Sequence, residues 1–298
     1  MYNQIDSNKR NTAILMGLFL IFIIGLGFVF SYALESQWIL IVAVIIAIVQ
    51  VLVSYYYSDS ITLAISGAKE VTHDDNKELY HLLENLCITA GLPQPKLYII
   101  NDSAPNAFAT GRDPNHAIIC VTSGLLEKMD KNELQGVLAH ELSHIGNYDT
   151  RLMTIVVVLV GVVALLSDLF LRTMFWGGGR RRSSSSGGGG AQAVIMIIAI
   201  VFAVLAPLIA MFIKLAISRK REYLADATGV SITRYPEGLA SALEKISRDP
   251  EPLEAANKAT AHLYIENPLK DHKKSWFNSL FDTHPPAEER IKKLREMA

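Results

Sequence analysis

Polar and apolar positions in this chain are segregated into long blocks. Thr12 to Leu34 contains no charged residue, and only Glu35, Ser36 and Gln37 separate it from a second apolar run, Trp38 to about Tyr56. Each run is long enough, as a helix, to cross the hydrocarbon core of a bilayer. The pattern predicts a transmembrane hairpin. The first run is too long for a signal-peptide core, and no small-residue cleavage site follows it. Trp38 at one end and Tyr55, Tyr56 and Tyr57 at the other fit interfacial aromatic belts. A third run, Leu152 to Leu171, is interrupted only by Ser167 and Asp168, and a fourth, Ala191 to Ile213, contains Pro207.

Between and after these runs the periodicity changes. Leu79 to Ala90 repeats at helical spacing and stops at Gly91. Lys96–Ile100 and Ala117–Thr122 are short apolar strands, and a helix capped by Asn132 follows with Glu133, Leu134, Val137, Leu138 and Ile145 in periodic positions. Downstream, Glu222–Thr233, Tyr235–Arg248 and Ala287–Met297 read as helices, punctuated by Pro250, Pro252, Pro268, Pro285 and Pro286. The predicted class is α+β and mainly helical: four transmembrane helices, with a small sheet beside one central helix. The expected organisation is a hairpin at 1–57, a first piece of a soluble domain at 58–150, a second hairpin at 151–217, and a second piece of the soluble domain at 218–298. Residues 177–190 (three glycines, three arginines, four serines, four glycines) form a low-complexity linker inside the second hairpin.

Charge sets the orientation. Lys9 and Arg10 precede the first span and a lone Glu35 follows it, which places the N-terminus and the residues after the second span in the cytoplasm. Arg172, Arg180, Arg181 and Arg182 oppose that rule for the second hairpin, which either spans or is re-entrant; its two long runs favour spanning. The chain is half hydrophobic, with mean hydropathy +0.26. Its 28 basic and 29 acidic residues leave no bulk charge to favour nucleic acid. Asp168 is the one acid inside the apolar runs, which leaves little for a transport pathway. Cys87 and Cys120 stand in no metal-binding or redox spacing and read as buried apolar residues of a reducing compartment.

The central helix carries the chemistry. His140-Glu141-Leu142-Ser143-His144 is H-E-x-x-H, which on a helix aims two imidazoles at one zinc ion and sets Glu141 beside them as a base for an attacking water. The motif has three fixed positions, so chance matches occur. A catalytic zinc needs a third protein ligand. A metzincin would supply a histidine at position 150, which is Thr150 here. The remaining candidate is Arg221-Glu222-Tyr223-Leu224-Ala225-Asp226, where Glu222 and Asp226 share a helix face. Glu222 can bind the metal while Asp226 accepts from a ligand histidine; alternatively both are exposed acids neutralised by Arg219, Lys220 and Arg221. The backbone at Asn106, Ala107 and Phe108 is the candidate for pairing with an extended substrate, an ordinary sheet edge being the alternative.

H-E-L-S-H followed by Asn147-Tyr148-Asp149, a hydrophobic hairpin and then SRKREYLADATG resembles HtpX-type membrane metalloproteases, relatives of the CAAX prenyl proteases. SGAKEVTHDDN (66–76), PNAFATGR (105–112), ATAHLYIENP (259–268) and THPPAEERI (283–291) extend the resemblance over essentially the whole chain, with Gly229 standing where the family more often has alanine. The resemblance implies a gluzincin fold, one zinc ion per subunit held by His140, His144 and Glu222, and Glu141 as catalytic glutamate. Asp226 and Arg290 then support the ligands, and His284 either stabilises the oxyanion or is structural. His262 carries no comparable argument and reads as a core or helix-surface residue. The resemblance further implies a multi-pass protein of the cell membrane, in contact with lipid and with its catalytic side in the cytoplasm. It would degrade misfolded or damaged membrane proteins under stress, in cooperation with other quality-control proteases.

Overall fold

The structure is a computed structural model that describes residues 2–33, 35–162, 218–256, 260–268 and 285–297. The linker at 177–190, the fourth apolar run, most of the third and His284 lie outside the described residues.

Helices α1 (Tyr2–Ala33) and α2 (Gln37–Ser66) form the hairpin. Both are long and apolar enough to cross a membrane. Ile41, Val42, Ile45, Ile46, Val49 and Leu52 leave about half their surface uncovered, the disposition of side chains that face lipid. Helix α2 runs ten residues beyond Tyr56, to an αL cap at Gly67 (φ 62°). The apolar pattern missed this extension because a buried stripe of small polar residues, Ser54, Ser58, Thr62 and Ser66, carries the helix onward at i,i+4 spacing.

The sheet has the order β1-β2-β4-β3, from β1 (Lys69–Val71), β2 (Lys96–Ile100), β3 (Ala107–Thr110) and β4 (Ile118–Thr122). β2 and β4 are parallel, and β1 and β3 pair antiparallel on either side. β4, buried at every position, is its centre. β1 and β3 were not anticipated from the sequence; at three and four residues they are too short to show an alternation. Helix α3 (Lys77–Ala90), capped by the Asn76 side chain and by Gly91 in αL, packs its leucines on the sheet.

A short α4 (Ser123–Lys128) leads into α5 (Lys131–Gly146), which bears H-E-x-x-H. The cap of α5 is Asp130, not Asn132. Asp130 Oδ1 accepts from the backbone of Asn132 and Glu133, and Glu133 Oε2 accepts from Asp130 N at 2.8 Å, a reciprocal capping box. Helix α5 lies in the middle of the core: Val137, Leu138, Ala139, Leu142 and Ile145 have no exposed surface. Helices α7 (Arg219–Thr233) and α8 (Pro236–Arg248) cover its other side, and α9 (Ala287–Arg295) closes over α8. The α5–α8 crossing depends on Gly136, where a Cβ would stand 2.6 Å from Leu239 N.

After Gly146 the chain turns by 83° into α6, Asp149–Val162. Tyr148 makes the turn in the left-handed region (φ 60°) and is held there between cations, Lys9 at 4.6 Å and Arg151 at 4.9 Å from its ring centre. Leu152, Ile155, Val156 and Leu159 of α6 pack against Leu15, Phe19 and Ile23 of α1. The start of the third apolar run is thus a helix docked on the hairpin. The described residues contain two candidate spans, or three if bent α5–α6 counts as one.

Candidate metal centre

Helix α5 aims two imidazoles at one point, because His140 and His144 are one turn apart. Their Nε2 atoms are 3.2 Å from each other. Helix α7 crosses α5 and brings Glu222 over that point, with Oε2 3.7 Å from His140 Nε2 and Oε1 3.7 Å from His144 Nε2. Ligand atoms of the three residues all lie within 4.8 Å of one another, and all three side chains are buried. Metal–ligand bonds of about 2.0–2.1 Å in a tetrahedral site would separate adjacent ligand atoms by about 3.3 Å. The donor set of two imidazoles and one carboxylate, at these spacings, fits zinc.

Both rings are oriented from behind. Asp226 Oδ1 lies 2.9 Å from His140 Nδ1, and Asp149 Oδ2 lies 3.0 Å from His144 Nδ1. Each carboxylate holds a proton on Nδ1 and leaves the Nε2 lone pair directed at the ligand point. Burial, reinforced by the charges of Arg290 and His144, pushes His140 down to about 4 against the pull of Asp226. Burial also opposes the charge on His144, but the Asp149 hydrogen bond and the charges of Glu222, Asp149 and Glu141 outweigh it and push His144 up to about 9. A metal cation takes the Nε2 lone pair of a neutral imidazole, so its binding at this point competes with protonation of either ring.

Arg290 is the keystone behind His140. It has no exposed surface. Its Nη2 and Nε donate to Asp226 at 2.7 and 3.0 Å, its Nη1 donates to Ile265 O at 2.9 Å, and its Nη1 lies 3.8 Å from Glu222 Oε2. Burial would raise the Asp226 carboxyl, but the Arg290 charge and the His140 hydrogen bond hold it down at about 2. Glu141 is buried beside the two histidines.

Asn106, Ala107 and Phe108, the expected substrate-pairing backbone, are not an open edge. All three are buried. Phe108 bridges to Tyr264, Ala107 O accepts from Ile265 N at 3.0 Å, and Asn106 Nδ2 donates to Glu266 O at 3.1 Å. The chain's own segment at 264–266 occupies the outer side of β3 there. His262, buried in a 3-10 turn with Nε2 3.1 Å from Met153 O, is a core residue.

Asp149 was quoted in the sequence without a role. Its place at a sharp bend one residue past Tyr148 brings its carboxylate back to His144, a path no spacing rule reads. Arg221 appeared only as a neutralising charge; it is buried, with Nε 3.7 Å from Asp149 Oδ1.

Residues 73–298 match the family described as Peptidase family M48. The chain is 46% identical to a protein of Tropheryma whipplei (strain Twist) named "Protease HtpX homolog", over 100% of this chain and 98% of that protein. A protein of Lactobacillus helveticus with the same name is 44% identical, with all of both chains covered. Among solved structures, S. mikatae Ste24p matches with TM-score 0.50 and 20% identity. That match covers 95% of this chain and 65% of Ste24p, and it supports the fold alone.

Proposed function

Because the chain belongs to peptidase family M48 and is a metalloprotease, we propose that it is a zinc-dependent endopeptidase of the cell membrane. It would act from the cytoplasmic side on misfolded or damaged membrane proteins, as part of stress-linked quality control alongside other membrane proteases.

The observation that carries this reading is the convergence of His140, His144 and Glu222, with each imidazole backed by a carboxylate. Zinc held by these three residues would supply Lewis acidity, polarising the scissile carbonyl and acidifying a water. Glu141, next to His140 on the same helix, takes the proton from the attacking water and delivers it to the leaving amine. Asp226 and Arg290 fix the His140 ring, so no reorganisation is needed as charge develops. His284, two residues before Pro286, keeps its proposed role as a donor to the oxyanion.

The position of α1 supports the cytoplasmic orientation. Its polar first turns, with Lys9 and Arg10, dock beside the α5–α6 turn, so the positive end of the first span and the metal centre lie on one side. Domain pieces 58–150 and 218–298 then form one protease domain, interrupted by a second membrane hairpin at 151–217. Hydrolysis beside the bilayer suits substrates that are themselves embedded in it.

The test compares the full-length wild type with Glu141→Gln in detergent, measuring bound zinc and cleavage of an unfolded protein such as casein. Zinc in both and cleavage only by wild type is expected. Normal cleavage by Glu141→Gln would refute the assigned base, and absence of zinc from wild type would refute the metal reading.

A further inference from the structure

The polar start of α1 contains one side chain that is wholly buried. Asn8 has no exposed surface. Its Nδ2 donates to Asp149 Oδ1 at 2.5 Å and to Asn147 O at 2.9 Å, while its Oδ1 accepts from Arg221 Nη1 at 3.1 Å. The amide can sit only this way round. Flipped, its oxygen would face a carboxylate and a carbonyl, and its NH2 would face a guanidinium.

Two of these contacts, those to Asp149 and Arg221, lead to a ligand. The other oxygen of Asp149 holds His144 Nδ1 at 3.0 Å, and Arg221 immediately precedes Glu222. Arg221 Nε is also 3.7 Å from the same Asp149 Oδ1 that Asn8 binds. We propose that Asn8, from the first membrane helix, is a positioning residue of the metal centre: it holds the Asp149 carboxylate so that His144 Nε2 points at the ion, and it fixes Arg221 at the root of Glu222. The proposal rests on the zinc reading above.

The physical reason is competition for Asp149. A buried carboxylate oxygen that loses its donor bears a desolvation penalty, so it turns toward any remaining donor. Without Asn8, the nearest is Arg221, and turning to it draws Asp149 away from His144. A buried asparagine is an expensive way merely to dock a helix, since α1 already packs on α6 through Leu15, Phe19 and Ile23. Lys9 on the Tyr148 ring pins the same turn of α1 to the same bend. The metal centre is then incomplete until the membrane hairpin is in place.

The experiment uses full-length protein in detergent. Asn8→Asp keeps the shape and turns the donor into an acceptor; Asn8→Ala removes the amide and decides the matter should Asn8→Asp not fold. Thr12→Val, which removes a buried hydroxyl bonded only to Asn8 O within the same helix, is the control for helix packing. Three quantities are read: the zinc dissociation constant by competition with a chromogenic chelator, the visible spectrum of the cobalt-substituted protein, and Tm after metal removal. Loss of partners behind metal ligands typically weakens metal binding 10–100-fold. We expect a loss of about 10-fold or more in both Asn8 variants, with an altered cobalt spectrum, and an unchanged constant in Thr12→Val. Asn8 variants that hold zinc within twofold of wild type, even with lowered Tm, would overturn the proposal and leave the zinc reading intact. A wild type that binds no zinc would overturn both.

Discussion

Replacing Arg290 with methionine, a side chain of comparable length, removes a guanidinium that has no exposed surface. Three donated hydrogen bonds go with it, two to the Asp226 carboxylate and one to Ile265 O. Each hydrogen bond involving a charged group contributes roughly 1.5–3 kcal/mol net, but desolvating the fully buried arginine offsets much of the sum. What remains is the cost of stranding the buried Asp226 charge, about 3–5 kcal/mol for breaking one side of a buried pair. In a chain of this size that corresponds to a fall in Tm on the order of 5–10 °C. Asp226 would also cease to hold the His140 ring firmly, so zinc affinity should fall by about 10-fold or more. Arg290→Lys keeps the charge but not the two-pronged geometry, and should recover only part of both losses. The assay is thermal unfolding of full-length protein in detergent, with zinc and after chelation, together with a zinc competition titration. Chelated Arg290→Met melting within about 1 °C of chelated wild type would refute the stranded-charge argument.

Glu133 caps α5 and accepts from Lys245 and Ser241, both at 2.6 Å. Burial raises its carboxyl, but these bonds and the Asp130 N–H outweigh it and hold the group below the ordinary 4.5. Its contribution is therefore full above about 4.5 and disappears as pH falls through the depressed value, so Glu133→Gln should cost stability at pH 7 and converge with wild type in acid, read as Tm against pH. Burial pushes the Cys87 thiol up to about 12 and raises Cys120 further. A maleimide at neutral pH should label neither thiol in the folded protein and both after unfolding, and stoichiometric labelling of native protein would contradict their placement. Gly136→Ala places a Cβ 2.6 Å from Leu239 N, so it should destabilise by about 1–3 kcal/mol or more, detected as a lower Tm. Gly229→Ala meets His140 N at 3.2 Å, and helix propensity returns up to about 1 kcal/mol, so zinc content and activity should stay near wild type.

How far the sequence reaches depends on how local each interaction is. His140, Glu141 and His144 are legible because one helical turn sets their spacing, and Glu222 with Asp226 for the same reason. β2 has the bounds expected from its apolar run, and α8 starts at the proline that marks it. Asp130 and Glu133 form a D-x-x-E box that was readable, and it was missed because Asn132 is also a good cap. Asp149 and Asn8 were not legible. One acts through an 83° turn, and the other through a hydrogen bond spanning 141 residues of chain. The outer side of β3 was misread because the segment that covers it, 264–266, lies far downstream and has no strand pattern of its own.

The central claim is that His140, His144 and Glu222 hold one zinc ion. X-ray absorption at the zinc edge on full-length Glu141→Gln, paired with metal content per chain, tests it most directly. The account predicts one zinc per chain, two imidazole nitrogens and oxygen ligands at about 2.0–2.2 Å, no sulfur, and loss of the metal in Glu222→Ala. A sulfur ligand, or full zinc content in Glu222→Ala, would contradict it.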